Sequence, residues 1–187
     1  MKALQNLGRM IINLVSGLGR ALLMLGSALF HMPNPRKGFP LLMNQLYSVG
    51  VLSLVIILVS GLFIGMVLAL QIYVGSSRFN AESAVATIVV IGLTRELAPV
   101  LSGLMIAGRV GAAIAAEIGT MRVTEQIDAL VTLSTNPYKY LVAPRVLAGM
   151  ITLPILVLIA DIIGVSGGYL VATESLGFNP SSYIKNT

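Results

Sequence analysis

The sequence predicts an all-α, polytopic membrane protein. It would have an N-terminal amphipathic helix at the membrane surface, about three transmembrane helices and a short helix on the cytoplasmic side. Three observations carry that prediction. The 187 residues are 56% hydrophobic and 10% charged, with a mean hydropathy of +0.92, whereas a soluble domain carries roughly 25% charged residues. Positions 38–77 hold no charged residue, a run longer than the roughly 20 residues that cross a bilayer. The net charge of +5 is spread as single Lys and Arg residues between apolar stretches. Nucleic-acid binders cluster such cations, so no nucleic-acid partner is expected.

Residues 1–35 read as an interfacial helix and its exit. Lys2, Asn6, Arg9, Asn13, Ser16 and Arg20 recur at spacings of four and three, a single polar stripe on an otherwise apolar helix. Such a helix suits the headgroup boundary, its Arg heads reaching water; a first membrane span is the alternative. Arg9 and Arg20 also interrupt any signal-peptide core. Two prolines and a glycine at 31–38 end the helix, and His31 belongs to that connector.

The first span is expected over 47–74, with Gly61, Gly65 and Ala69 on one face where another helix can approach closely. The second covers 82–118, roughly 55 Å if straight against a hydrocarbon core of about 30 Å. It must kink, tilt or project, and Pro99 is the expected break because it frees the Arg95 carbonyl. Gly103, Ala107, Gly111, Ala115 and Gly119 form a small-residue ladder at intervals of four, expected to pack against another helix or subunit. Residues 121–136 form a short amphipathic helix, with Val123, Ile127, Leu130 and Val131 apolar and Arg122, Glu125 and Asp128 charged, stopped by Asn136-Pro137. A third span follows over 146–171, with Asp161 inside it and Gly164 and Gly168 on one face. Placing the N-terminus in the cytoplasm puts eight loop Lys and Arg inside (Lys2, Arg9, Arg20, Arg36, Lys37, Arg122, Lys139, Arg145) and only Arg78 and Lys185 outside, the bias that sets orientation.

The chemistry is as informative for what it lacks. No G-x-x-x-x-G-K-[ST] loop occurs, so the chain is not expected to hydrolyse ATP. There is no H-E-x-x-H, no G-x-S-x-G, no cysteine and one histidine, so neither a metal site nor an enzyme is expected. Arg95-Glu96 is the exception, a charged pair inside a membrane-grade helix. An ionised side chain at that depth costs about 2.5–3.5 kcal/mol, which is why such residues turn inward and carry function. Adjacent residues on a helix point about 100° apart, so each needs its own partner. One reading is a structural ion pair between helices. The other is a polar spot for a phosphate or amphiphile head, Arg being a bidentate phosphate binder, with Leu93, Leu97 and Val100 as the apolar wall. The 121–136 helix offers a similar choice between an interfacial linker and a knob that docks in the groove of a soluble partner. Among whole-protein alternatives, an ion-gradient secondary transporter usually shows repeated halves, and none is visible; a non-transporting scaffold leaves the buried pair unused.

Several motifs resemble the MlaE (YrbE-type) permease family, membrane subunits of ATP-binding-cassette systems that move phospholipids between bacterial membranes. Residues 63–71 (FIGMVLALQ), 95–100 (RELAPV), 107–121 (AGRVGAAIAAEIGTM), 123–130 (VTEQIDAL), Asn136-Pro137 and 141–145 (LVAPR) match it in order and spacing, covering roughly 40–175. The resemblance implies one permease domain over 1–187 and a homodimer in the bacterial inner membrane. It also implies a cytoplasmic ABC ATPase carrying ATP and Mg, a periplasmic MCE-domain lipid-binding protein and a STAS-domain protein on the ATPase. Residues 123–134 become the coupling helix, with Val123, Glu125, Ile127, Asp128 and Leu130 meeting the ATPase. Leu68, Leu70, Phe79, Arg95, Glu96 and Leu97 become the wall of a central lipid-binding cavity at the dimer interface. No cofactor is implied in this chain. Family members usually have about two further spans, so the chain is expected to be C-terminally incomplete.

Overall fold

The computed structural model describes residues 2–30, 35–77 and 85–185, and every regular element among them is helical. Helix α1 is Lys2–Phe30, and α2 (Pro35–Leu46) runs through a π-helical turn at Tyr47–Val51 into α3 (Leu52–Ser76). Helix α4 (Val85–Gly92) passes through a second π turn, Leu93–Leu97, into α5 (Ala98–Val123). Then come α6 (Gln126–Thr132), a π turn at Tyr138–Val142, α7 (Ala143–Leu170), a π turn at Val171–Ser175 and α8 (Pro180–Lys185). Among the described residues four segments are long and apolar enough to cross a membrane: Gln5–Gly26, Phe39–Ser76, Val85–Val123 and Tyr138–Ser175. That is one more than the three spans expected, because α1 also qualifies by length and composition. The protein is a polytopic, all-α membrane protein.

The break expected at Pro99 takes the form of the π turn before it. Proline has no N–H to offer the Arg95 carbonyl. One residue earlier the Ala98 N–H reaches back five positions to the Leu93 carbonyl, so the strand of hydrogen bonds is rerouted rather than cut. The turn at Tyr138–Val142 similarly precedes Pro144. Its start is fixed by Asn136, whose Oδ1 accepts the Tyr138 N–H at 3.0 Å, and by Pro137, which needs no hydrogen-bond acceptor there.

The chain divides into two compact units, Met1–Gln45 with Gly119–Ala148, and Leu46–Ile118 with Gly149–Thr187. In the first, α1 packs on the Tyr138–Val142 turn. Arg145 is buried beneath the start of α7, its Nη1 donating to the Leu141 carbonyl at 2.8 Å. The corner between α5 and α6 is tied by an ion pair, Arg122 Nη1 to Asp128 Oδ1, at 2.8 Å.

The second unit is organised around Ile57 of α3, Leu93 of the π turn, Ala98 and Ile106 of α5, and Leu156 and Ala160 of α7. Without water to drive apolar surfaces together, helices in lipid associate through close packing, which small residues permit. The small-residue face of α3 meets that of α7. A methyl group on Gly61 would lie 3.3 Å from the Ala160 carbonyl oxygen, and one on Gly164 would lie 2.5 Å from Leu93 Cδ2. Gly65 rests directly against the Gly164 backbone, so no side chain fits at this crossing. The ladder on α5 is different: among the described residues, nothing lies within 4 Å of a methyl added at Gly103, Gly111 or Gly119. The end of the unit at α8 is closed by aromatics. Phe178 stands edge-on to Tyr73 at 5.7 Å and to Tyr183 at 6.4 Å, and burial pushes the Tyr183 phenol above its ordinary range.

Candidate functional site

Arg95 and Glu96 both lie on the Leu93–Leu97 turn. Arg95 is ten residues from Val85, about 15 Å along the helix axis. A π turn holds one residue more than an α turn, which turns its side chains out of the regular helical phase. Leu93 goes inward and is buried, Leu97 is half-buried against the Ile57–Leu156 core, and Arg95 and Glu96 are exposed. Among the described residues neither makes an ion pair or a hydrogen bond. Thr94 turns back instead, its Oγ1 donating to the Val90 carbonyl at 2.8 Å.

Of the other expected cavity residues, Leu68 is half-buried and packs against the core with Leu97, its Cδ2 3.9 Å from where a Gly92 methyl would stand. Leu70, two positions on, points away and is 42% exposed. Phe79 lies outside the described residues. A cavity of about 10 Å³ between α3, α5 and α7, lined by Ile57, Ser60, Gly61, Leu93, Ser102 and Met105, is water-sized. A second, of about 250 Å³, lies between α7 and α8, lined by Ile162, Val165, Tyr169 and Tyr183. Neither touches Arg95 or Glu96.

Two further polar groups sit within the spans. Arg109 Nη1 donates at 2.7 Å to Ser53 Oγ, joining α5 to a fully buried hydroxyl on α3. Its signal in the sequence was a lone cation in an apolar helix, quoted above only as part of a motif. Asp161, on α7, keeps one carboxylate oxygen buried without a hydrogen-bond partner among the described residues.

On the cytoplasm-expected segment, α5 runs on to Val123, and Glu125 takes a left-handed backbone conformation (φ 56°, ψ 16°) just before α6. Val123 is thus the last residue of α5 and is 85% exposed. Ile127 and Leu130 are half-buried, while Glu125 and Asp128 are exposed. Asp128 is engaged by Arg122. No group of three or more His, Cys, Asp or Glu able to hold a metal occurs among the described residues.

Comparison with known proteins agrees with these features. Residues 42–187 match the family described as Permease MlaE. A probable ABC transporter permease protein of Rickettsia bellii is 54% identical over 97% of this chain and 70% of its own length. The intermembrane phospholipid transport system permease protein MlaE of Haemophilus influenzae is 46% identical over 95% of this chain and 68% of its own. A probable ABC transporter permease protein of Synechocystis is 40% identical over 89% of this chain. A polytopic helical chain whose family match runs through the Arg95-Glu96 turn, the α5 ladder and α6 alike belongs to the MlaE permease family.

Proposed function

We propose that this chain is the permease subunit of an ATP-binding-cassette phospholipid transporter, acting as a homodimer in a bacterial inner membrane with its N-terminus in the cytoplasm. The single observation that carries this reading is the exposed Arg95-Glu96 pair, ten residues into a long and largely apolar helical segment and without an ion pair or hydrogen bond among the described residues. Charge left facing hydrocarbon costs several kcal/mol unless something polar reaches it. A phospholipid answers both halves of the site. Its phosphate takes the guanidinium fork, while acyl chains lie along Leu70 and the apolar face of a second copy. Leu68 and Leu97, part-buried behind the turn, hold its position and border the same cavity. The name of the Haemophilus relative, an intermembrane phospholipid transport permease, supports the same cargo.

Energy enters from a separate cytoplasmic ABC ATPase that holds ATP and Mg²⁺, and this chain contributes no catalytic group. A periplasmic MCE-domain lipid-binding protein receives or delivers the lipid on the other side, and a STAS-domain protein attaches to the ATPase. The ATPase meets α6 through Ile127, Leu130 and Glu125. Left-handed backbone at a non-glycine residue is strained by about 1 kcal/mol or more, so a glutamate there in place of glycine supports a use for its side chain. Replacing Glu125 with lysine is expected to lower lipid moved per ATP at least fivefold in reconstituted vesicles, while lipid still co-purifies with the permease. Unchanged transport in Glu125→Lys would remove α6 from the coupling path. The cargo assignment is tested by mass spectrometry of lipids bound to the purified complex, with phospholipid expected and its absence decisive against it.

A further inference from the structure

The corner between α5 and α6 is built more tightly than an interfacial linker requires. Thr124 and Glu125 alone separate the two helices. The Thr124 N–H bonds the Thr120 carbonyl at 3.0 Å, the Glu125 N–H bonds that of Arg122 at 3.3 Å, and the Glu125 carbonyl starts α6 by accepting the Ala129 N–H at 3.0 Å. Across this two-residue elbow the Arg122 guanidinium reaches Asp128 at 2.8 Å. Arg122 lies in the last turn of α5 and Asp128 in the first turn of α6. Each charge also opposes the partial charge of its own helix end, cation at the carbonyl end and anion at the amide end. The backbone bonds and the ion pair cross the elbow and favour one bend, while each helix-end charge acts within its own helix.

We infer that the Arg122–Asp128 ion pair sets the angle at which α6 is presented to the ATPase, which makes Arg122 a positioning residue for coupling and takes Asp128 out of direct contact with the partner. The inference rests on the proposed docking role of α6. The side chains of the pair are 66% and 58% exposed, so its attraction is that of a surface pair, enough to favour this bend over others by up to about fivefold. Reversing one charge replaces that attraction with repulsion, and the shift becomes larger. Neither change touches the apolar face of α6, so binding of the ATPase and its response to the elbow angle are separable.

The experiment is a charge exchange in the complete complex, reconstituted in vesicles of phosphatidylethanolamine and phosphatidylglycerol, reading ATP hydrolysis and lipid moved per ATP. Arg122→Asp and Asp128→Arg are each expected to lower lipid per ATP about three- to tenfold with the ATPase still bound. The double variant carrying both changes is expected to return to within about twofold of wild type, and Arg122→Lys to keep most of the activity. Raising the salt to 1 M, where the Debye length falls to about 3 Å, should move wild type toward the single variants. A purely structural role would change thermal stability without this pattern of rescue. A double variant no better than Asp128→Arg alone would mean that Asp128 touches the partner itself, and single variants equal to wild type would mean the elbow is held without the pair; either result overturns the inference. Leu130→Asp separates it from its premise: an ATPase that stays bound to this variant removes both, whereas an ATPase lost from it while the exchange fails removes only the positioning role.

Discussion

Gly65→Leu is expected to prevent the chain from accumulating as a folded membrane protein. At Gly65 the backbones of α3 and α7 meet directly, and the nearest group is the Gly164 main chain, not a side chain that could swing aside. Extra methylene groups in a packed interior typically cost about 1–3 kcal/mol when neighbours can adjust. Here the helices themselves would have to separate, and with them the Ile57, Leu156 and Ala160 contacts that form the core. Even Gly65→Ala should lower the unfolding midpoint of the detergent-solubilised protein by several degrees. Gly111→Ala provides the contrast. It occupies the same kind of small-residue motif, but its methyl would meet nothing within 4 Å among the described residues. Alanine is the better helix former by about 0.8–1.0 kcal/mol, so this chain's own fold should be unchanged or firmer. Equal tolerance at Gly65 and Gly111, measured by monodispersity on gel filtration and by thermal unfolding, would contradict the α3–α7 crossing.

Arg95→Ala is expected to reduce phospholipid bound to the purified complex by about 10- to 100-fold and to stop transport. That range corresponds to the loss of a hydrogen bond to a charged group, about 1.5–3 kcal/mol. The variant separates function from folding unusually well. Removing a cation from mid-span relieves about 2.5–3.5 kcal/mol of insertion cost, and Arg95 makes no ion pair or hydrogen bond among the described residues. The protein should therefore insert at least as well as wild type while failing to hold its cargo. Arg95→Lys keeps the charge but not the planar fork, and should fall between the two. Full lipid occupancy in Arg95→Ala, measured by quantitative mass spectrometry, would remove the guanidinium from the binding site.

Much of this was readable from the chain, for reasons that differ by element. The small residues of α3 and α7 declared themselves by spacing alone, since a run of four-residue intervals on an apolar helix has few other uses. Their mutual pairing did not, because spacing identifies a face and not its neighbour. The same limit explains the α5 ladder, which is equally regular and finds no neighbour among the described residues. Pro99 marked the break in the second long helix, but the repair by an i−5 hydrogen bond depends on how Ala98 and Leu93 settle around it. Arg95-Glu96 stood out because charge is scarce in such a helix. The inward turn of Leu68 and Leu97, by contrast, follows from packing that no local pattern encodes. Arg122 and Asp128 are six apart, outside the three- and four-residue intervals that pair side chains on one helix. Their contact exists only because the chain bends between them.

The π turn at Leu93–Leu97 also works as a slipped thread in a screw. It stores one residue beyond the α-helical count, and each residue of an α-helix advances the azimuth by about 100°. Rewinding the turn to even pitch with that residue still in place would rotate everything on one side against everything on the other by about that angle. Ala98, Ser102 and Ile106, now sealed in the interior, would be indexed against a different flank from Leu93 and Val89. A helix that must point charge outward and grease inward along one axis thus keeps the two in register by carrying a residue too many.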